Sequence, residues 1–413
     1  MKNSIMDSGL DSLFDSSGLK AYSGYLTDRA ELLQSASGGG AIALSKAIIR
    51  EGGSVFGACY SKDFRSAEFA CVENISDLHR LKGSKYIPTE KKIFQDGEYK
   101  SVWPCVAEKL SSGRPILFTG LGCDVAALKS YLSANHIDDS NLFTVDLFCY
   151  GPALIDVHTQ YIDSLERKYK SRITNFTVRH KAKGWIPKYI LAEFENGRRF
   201  ITPFDDTDYG LAFGICPRES CFHCKFKGAN HQADITLGDS WATTPGTAGY
   251  NPDGVSIIIV KTERGESLMK KIDSEEFAVF PADMRAAFER NTMYYTSRKK
   301  PDDYSRFCED LRTEGLHRAI VNHFGLLRLH EGNTQNDSSS RKESHQGYTP
   351  QIVYNIPHKS IKGGVICHQN TNGRQKKFLL KNCCLLHVKP LKIRMLLTRG
   401  FMQGQRFFLR MMK

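Results

Sequence analysis

The sequence lacks an uninterrupted apolar run of about 18 residues, the length that a membrane-spanning helix needs. Its N-terminus, MKNSIMDSGLDSLFDSSG, has neither a basic start nor an apolar stretch, so no secretory signal is readable. A Walker loop, an H-E-x-x-H motif and a Ser-His-Asp order are also missing, which leaves NTPase and hydrolase functions without support. We therefore expect a cytoplasmic protein of another class.

Excess positive charge is missing from most of the chain. The formal net charge is +12, but residues 331–413 alone hold 15 Lys and Arg against 3 Asp and Glu. Residues 1–330 are therefore formally neutral, which argues against a nucleic-acid partner for them. In the basic tail, KKFLLKNCCLLHVK and FMQGQRFFLRMMK could each form an amphipathic helix. We predict reversible binding of this tail to an anionic membrane or to an acidic partner. The alternative is a disordered extension without function.

Composition favours an ordinary globular protein, since 25% of the 413 residues are charged and 41% hydrophobic. Twelve cysteines in a chain without a readable export signal indicate reduced thiols, which more often bind metal or do redox work than form disulfides.

Hydrophobic periodicity predicts an α/β fold. A Gly-rich loop leads into a predicted helix at about 41–51, and a strand follows at 54–60. Predicted strands at 116–119 and 142–148 each end just before a cysteine, Cys123 and Cys149. In open α/β sheets, the carboxyl ends of the strands are where ligands collect. We also predict a hairpin that turns at Asn196 and Gly197, and amphipathic helices over 284–325.

The cysteine spacing suggests a metal or cluster site. Cys221 and Cys224 form a C-x2-C motif, and Cys216 extends it to C-x4-C-x2-C, a spacing that ferredoxins of the plant type use. His223 or His231 could complete a zinc knuckle instead. As a third possibility, Cys123 and Cys149 could complete the ligand set of Cys221 and Cys224, if the two strand ends face the same crevice.

Seven segments, in order, resemble the coenzyme F420 hydrogenase/dehydrogenase beta-subunit family over about residues 33–275: SASGGG, LKGSKYI, LFTGLGCDVAALKSYL, TVDLFCYG, KGWIPKY, SCFHCKFKGANHQADITLGDSW and GVSIIIVKTERG. This resemblance implies a mixed sheet with flanking helices that holds FAD and a 4Fe-4S cluster close together. It also implies the cluster ligands Cys123, Cys149, Cys221 and Cys224.

Two departures from the family are visible. The Thr-Pro that usually precedes the first cysteine is Leu121-Gly122 here, which keeps Cys216 as a reserve ligand for Cys123. The N-terminal ferredoxin module of many members is also missing, so a second cluster would come from another protein.

Two segments are candidates for FAD binding. Ser37, Gly38 and Gly39 precede a helix whose N-terminus can bind phosphate, although a Ser-capped helix after a loop is an equally good interpretation. In the second segment, Lys85 could bind pyrophosphate and Tyr86 could stack on a ring, or the two could be surface and core residues. The resemblance favours FAD contact for both segments, the second comprising Gly83, Ser84, Lys85 and Tyr86.

Substrate and proton-transfer roles fall on two further segments. Lys183 and Trp185 offer a cation and an aromatic plane for a flat or anionic substrate, while a core anchor is the alternative for Trp185. Asp234, Gly238 and Asp239 could orient the isoalloxazine or donate protons, while caps and turn hydrogen bonds are the alternative.

The predicted function is an FAD- and 4Fe-4S-dependent oxidoreductase. Electrons would pass between reduced coenzyme F420, or a ferredoxin or other redox protein, and an unidentified small-molecule acceptor. The resemblance extends to proteins of cell-surface polysaccharide biosynthesis, so the acceptor could be sugar-linked. The alternatives are an FAD-dependent reductase of a substrate double bond and a zinc-stabilised binding protein without enzymatic activity.

These predictions divide the chain into five parts. We expect an irregular segment at 1–30, a flavin-binding part at 31–115, a cluster and flavin or substrate domain at 116–283, a helical extension at 284–330, and a linker with a basic tail at 331–413.

Overall fold

The computed structural model describes residues 18–324 and two short paired strands, Cys367–Gln369 and Gln375–Lys377. By its internal contacts the chain divides into two units, residues 1–349 and 350–413. None of the helices in the described part combines the length and apolar character that crossing a bilayer requires. The predicted tail helices lie outside the described residues, except that Lys376 and Lys377, at the start of the first of them, belong to a strand.

A mixed ten-stranded sheet forms the centre of the first unit, in the order β13-β1-β12-β11-β7-β6-β2-β3-β4-β5. A second sheet, in the order β10-β9-β8, is antiparallel. The predicted α/β fold with a mixed sheet is confirmed. The strands are β1 (Lys20–Leu26), β2 (Ser54–Tyr60), β3 (Ala67–Val72), β4 (Thr89–Gln95), β5 (Glu98–Ser101), β6 (Ile116–Thr119), β7 (Leu142–Leu147), β8 (Ile173–His180), β9 (Tyr189–Phe194), β10 (Arg199–Pro203), β11 (Ile235–Asp239), β12 (Ser256–Val260) and β13 (Phe277–Pro281).

Helices cover both faces of the large sheet and one side of the small one. They are α1 (Arg29–Gln34), α2 (Gly40–Arg50), α3 (Val102–Ser111), α4 (Gly122–Ala134), α5 (Ile155–Tyr169), α6 (Asp208–Ile215), α7 (Glu263–Met269), α8 (Met284–Arg290), α9 (Tyr304–Thr313) and α10 (Leu316–Phe324). Short 3₁₀ helices lie at Ile75–Leu81, Phe204–Asp206, Glu219–His223, Gly228–Asn230 and Thr292–Tyr294.

Alternating residues of the central strands point to opposite faces of the large sheet, as strand geometry requires. Val55 and Leu117 belong to the core that includes α2, whereas Phe56 and Phe118 belong to the core that includes α3 and α4. A separate core joins the small sheet to α5, α6, α9 and α10. The sheet faces are thus filled by helices, and ligand space is left at the strand ends.

Four neighbouring strands, β2, β6, β7 and β11, run parallel to one another. Their carboxyl ends therefore lie along one edge of the sheet. Cys123 follows β6, Cys149 follows β7, and Asp239 is the last residue of β11. The prediction that two strands deliver cysteines to the same edge is confirmed.

The N-terminal segment differs from the expectation that residues 1–30 are irregular. Residues Lys20–Leu26 form β1, which pairs antiparallel with both β12 and β13. The two partner strands lie more than two hundred residues away in the sequence, so the local pattern of polar residues does not predict β1. Gly24 permits the pairing, because a Cβ there would lie 2.5 Å from the Phe277 ring.

Candidate functional site

A cavity of about 600 Å³ lies at the carboxyl edge of the parallel strands. Side chains of β8 and α6, from the second sheet and its helix, form part of its wall. This volume falls in the range of small-molecule and cofactor sites. The predicted residues that line it are Ser37, Gly39, Gly83, Ser84, Lys85, Tyr86, Cys149, Gly238 and Asp239.

Two predicted cofactor residues have contacts away from the cavity lining. Gly38 packs between strands, because a Cβ there would lie 2.1 Å from the Gly24 carbonyl oxygen. The Asp234 carboxylate accepts hydrogen bonds from the Thr144 N–H at 2.8 Å and from the Thr262 hydroxyl at 2.8 Å. Asp234 therefore links the start of β11 to β7 and to the start of α7. These contacts agree with the alternative that Asp234 makes turn and cap hydrogen bonds and does not serve the flavin.

The cavity presents a different tryptophan from the predicted one. Lys183 is exposed, Trp185 is buried, and neither lines the cavity. Trp185 stacks on Trp241, with 4.7 Å between ring centroids and 8° between planes, and Trp241 does line the cavity. The missed signal was available, because Trp241 stands two residues after the predicted Asp239.

The Gly-rich segment brings a helix N-terminus to the cavity. Helix α2 begins after Gly39, which has φ +84° and provides no side-chain cap. Ser35 donates its hydroxyl to the Glu31 carbonyl at 3.0 Å, and Ser37 donates to the Val255 carbonyl at 2.8 Å. The alternative of a Ser-capped helix is therefore wrong. The first N–H of α2, that of Gly40, donates to the Ser256 hydroxyl at 3.2 Å. Because a helix N-terminus carries a positive partial charge, this wall suits a phosphate.

Lys85 shapes the second predicted segment. Its ammonium donates to the carbonyl oxygens of Leu81 at 3.0 Å, Lys82 at 2.9 Å and Gly83 at 3.1 Å. Burial lowers the pKa of Lys85 to about 8. An ammonium has three donors, so this loop uses all of them. A direct contact between Lys85 and pyrophosphate stays a prediction.

Arg179 and Asp239 form an ion pair in the wall of the cavity. Arg179 donates from both terminal nitrogens to the two Asp239 oxygens, at 2.8 and 3.0 Å, and lies 3.4 Å from the Tyr86 hydroxyl. Burial by itself would lower the pKa of Arg179, but the charge of Asp239 outweighs it and raises that pKa. Tyr86 stacks on Phe213 at 4.4 Å. Nothing in the sequence around Arg179 marks it as a cavity residue.

The four predicted cluster ligands, which come from the start of α4, the segment after β7 and the turn Glu219–His223 with the residue after it, lie near enough to interact electrostatically. The Gly151 N–H donates to the Cys149 sulfur at 3.3 Å, and a Cβ on Gly151 would lie 3.5 Å from the Cys221 sulfur. Burial raises the pKa of Cys149 to about 12, and the charges of Cys123 and Cys221 add to that rise. Burial likewise raises the pKa of Cys123, with Cys224 among the contributing charges.

Cations lie beside these thiols. Lys227 donates to the Cys149 carbonyl at 2.5 Å and to the Met293 carbonyl. Burial would lower the pKa of Arg218, but Cys123 and Cys221 raise it overall. The Arg218 Nε is buried without a hydrogen-bond partner in the described part of the chain. Four thiols with nearby cations are a donor set that fits an anionic thiolate-ligated centre.

Within residues 18–324, no group of three or more His, Cys, Asp or Glu side chains is arranged to hold a metal ion. The cluster ligand set therefore stays a prediction. The nine cysteines whose side chains the structure describes are free thiols.

The other proposed ligands have contacts elsewhere. His231 is 2.7 Å from Asp146 through Nδ1 and 3.2 Å from the Tyr294 carbonyl through Nε2, so both ring nitrogens are occupied. His223 is exposed. Cys216 lies in the core beside α6, where its thiol donates to the Ala212 carbonyl at 3.3 Å. Burial raises the pKa of Cys216 to about 12.

Comparison with known proteins identifies a family and a similar structure. Residues 113–283 match the family described as the C terminus of the coenzyme F420 hydrogenase/dehydrogenase beta subunit. The chain is similar to a chain of the F420-reducing NiFe hydrogenase complex from Methanosarcina barkeri, with 19% identity and a TM-score of 0.46. The alignment covers 72% of this chain and 94% of that chain. No curated protein matches.

Proposed function

Because residues 113–283 belong to the coenzyme F420 hydrogenase/dehydrogenase beta-subunit family, as the ordered motifs indicated, we propose that the chain is an iron–sulfur flavoprotein oxidoreductase. It transfers electrons between reduced coenzyme F420 or a ferredoxin and a small-molecule acceptor. One observation carries the proposal: the N-terminus of α2 and Cys149 line the same cavity. A cofactor with phosphates and a sulfur-ligated centre would therefore be neighbours.

The residues of the cavity divide into two binding roles. Ser37, Gly39 and the start of α2 suit the pyrophosphate of FAD, while Tyr86 and Trp241 offer aromatic surfaces to its rings. Cys123, Cys149, Cys221 and Cys224 suit a 4Fe-4S cluster. When bound, FAD can exchange two electrons and the cluster one at a time, so that a hydride can be split into single electrons.

The protein groups provide position and charge. Lys227 fixes the Cys149 loop by holding its carbonyl, and Gly151 donates to the Cys149 sulfur. Arg179 holds Asp239 at the wall with two hydrogen bonds, which fixes the orientation of the carboxylate. These contacts hold the cavity in one shape before a ligand enters, and preorganisation of this kind supports electron transfer between fixed centres.

A sugar-linked acceptor molecule of cell-surface polysaccharide biosynthesis follows from the resemblance alone. Lys188, half-buried at the cavity wall and 3.5 Å from Asp205, is a cation that an anionic acceptor would meet.

Anaerobic purification and reconstitution with iron and sulfide test this proposal. We expect bound flavin released on heating, and iron and labile sulfide in the ratio of a 4Fe-4S cluster. Reduced coenzyme F420 should then bleach the flavin absorbance. A flavin that reduced coenzyme F420 does not bleach, but that reduces an added double bond once dithionite has reduced it, supports the ring-reductase alternative. Colourless protein with bound zinc supports the binding-protein alternative.

A further inference from the structure

Arg218 stands at the start of the turn that carries two of the proposed ligands. Its carbonyl accepts the Cys221 N–H at 2.9 Å, and the turn Glu219–His223 follows directly. The charges of Cys123 and Cys221 and a side-chain hydrogen bond with Cys221 raise the pKa of Arg218. Arg218 therefore lies near sulfurs from two separate segments of the chain.

Besides Lys91, which pairs with Asp124, three cations lie near the thiols, and they differ in how their donors are used. Lys227 donates to two backbone carbonyls, those of Cys149 and Met293. Arg298 donates to the carbonyls of Phe213 and Gly214 and lies 4.2 Å from the Tyr150 ring centroid.

Arg218 is the cation of these three with a buried donor, Nε, that has no partner among the described residues. A buried N–H without an acceptor is costly, so an acceptor absent from the protein atoms would relieve the cost. Sulfur atoms of a bound inorganic centre are acceptors of this kind. The unpaired donor belongs to the side chain that interacts with the two thiols.

We infer that Arg218 donates hydrogen bonds to a sulfur centre held by Cys123 and Cys221 and raises its reduction potential, an inference that rests on the proposed function. Taking up one electron adds one negative charge to the centre. A fixed guanidinium stabilises the reduced form more than the oxidised form, because the attraction grows with the negative charge. Hydrogen bonds to cluster sulfurs act in the same direction. Arg218 is thus a positioning residue that sets the potential and does not ligate the centre.

Redox titration of the reconstituted full-length chain, followed by electron paramagnetic resonance, tests this inference. In Arg218→Gln we expect the ratio of reduced to oxidised centre at a fixed potential to fall about tenfold, equivalent to ~59 mV for one electron. Arg218→Lys keeps the charge but loses the planar fork, so its potential should lie between those of wild type and Arg218→Gln.

Arg312→Gln is the matched control, because this exposed arginine of α9 pairs with Glu309 instead of the thiols. Its potential should equal that of wild type. Iron and sulfide content shows whether each variant holds the centre, and Arg218→Lys remains informative if Arg218→Gln does not. An intact centre with unchanged potential in both Arg218 variants overturns the inference and leaves the proposed function standing. Wild type that binds no iron overturns both.

Discussion

Arg179 engages both carboxylate oxygens of Asp239, at 2.8 and 3.0 Å, in the wall of the cavity. Both oxygens accept hydrogen bonds in this pair, which fixes the orientation of the carboxylate. This arrangement favours the predicted orienting role of Asp239.

Breaking this pair should be costly. Asp239→Asn leaves the Arg179 guanidinium, whose side chain is 7% exposed, without its counter-charge. We expect a loss of about 3 kcal/mol in the free energy of unfolding, measured by urea denaturation. Asp96→Asn removes an exposed partner of Lys100 and should change stability by less than about 0.5 kcal/mol. Equal losses in the two variants would show that the Arg179 pair is not desolvated as described.

Serine variants should distinguish the proposed ligand cysteines from a cysteine of the core. Cys149→Ser and Cys221→Ser should each lose most of the iron bound after anaerobic reconstitution, because serine replaces a thiolate ligand. Cys216→Ser should retain it, since Cys216 lies in the core with its thiol bonded to Ala212. Iron and sulfide analysis measures the difference. Loss of iron from the Cys216 variant, with retention in Cys149→Ser, would reverse the proposed ligand set.

Two glycines test the Gly-rich wall. Gly39 has φ +84°, and a Cβ there would lie 2.3 Å from the Leu26 side chain. Gly52 has a similar φ of +75°, but a Cβ there would meet nothing within 4 Å. Both Ala variants carry a backbone penalty of roughly 1–2 kcal/mol, and Gly39→Ala should lose about 1–3 kcal/mol more through overpacking. Thermal and urea denaturation measure this difference.

FAD affinity adds a second comparison for the same pair. Gly39→Ala should weaken FAD binding, since the start of α2 shifts, while Gly52→Ala should bind FAD as wild type does. Indistinguishable affinities in a folded Gly39→Ala protein would remove the α2 N-terminus from the proposed phosphate site.

Buried lysines predict a stability that rises with pH. Burial lowers the pKa of Lys181 to about 7, from the usual 10.5, and its ammonium donates to the carbonyls of Leu32 and Ser37 at 2.7 Å each. Between pH 7 and 10 the unfolded chain thus binds more protons at this lysine than the folded chain does. The free energy of unfolding must therefore gain from Lys181 as the pH rises through this window.

Lys181→Met should flatten that dependence between pH 7 and 9, by up to about 1 kcal/mol per pH unit, in urea denaturation at several pH values. Lys270→Met, at an exposed position, should leave the slope unchanged. An unaltered slope in Lys181→Met would mean that the ammonium is as well solvated in the folded chain as in the unfolded one.

Local patterns were sufficient for the elements that carry their own signals. The strand predicted at 116–119 is β6, because its apolar residues are bounded by Pro115 and Gly120. The helix after it buries Val125, Leu128 and Leu132 on one face, as their spacing predicts. The convergence of Cys123 and Cys149 followed from the general rule that parallel strands end at one edge.

Contacts between segments that are distant in the chain could not be predicted from the sequence. Asp234 was predicted to serve the flavin, yet its carboxylate binds Thr144, ninety residues earlier in the chain. His231 was a candidate zinc ligand, yet it pairs with Asp146. A polar residue in a motif can serve a ligand or the fold, and only its partners distinguish the two.

The place of β1 constrains how synthesis and folding can be ordered. Residues Lys20–Leu26 emerge early from the ribosome, but both neighbours of this strand, β12 and β13, come only at 256–260 and 277–281. Pairings of such sequence separation form late, since a long loop must close first. The nascent chain therefore holds an unpaired strand until almost all of residues 18–281 have been made, and a product truncated before residue 256 would expose that edge to other chains.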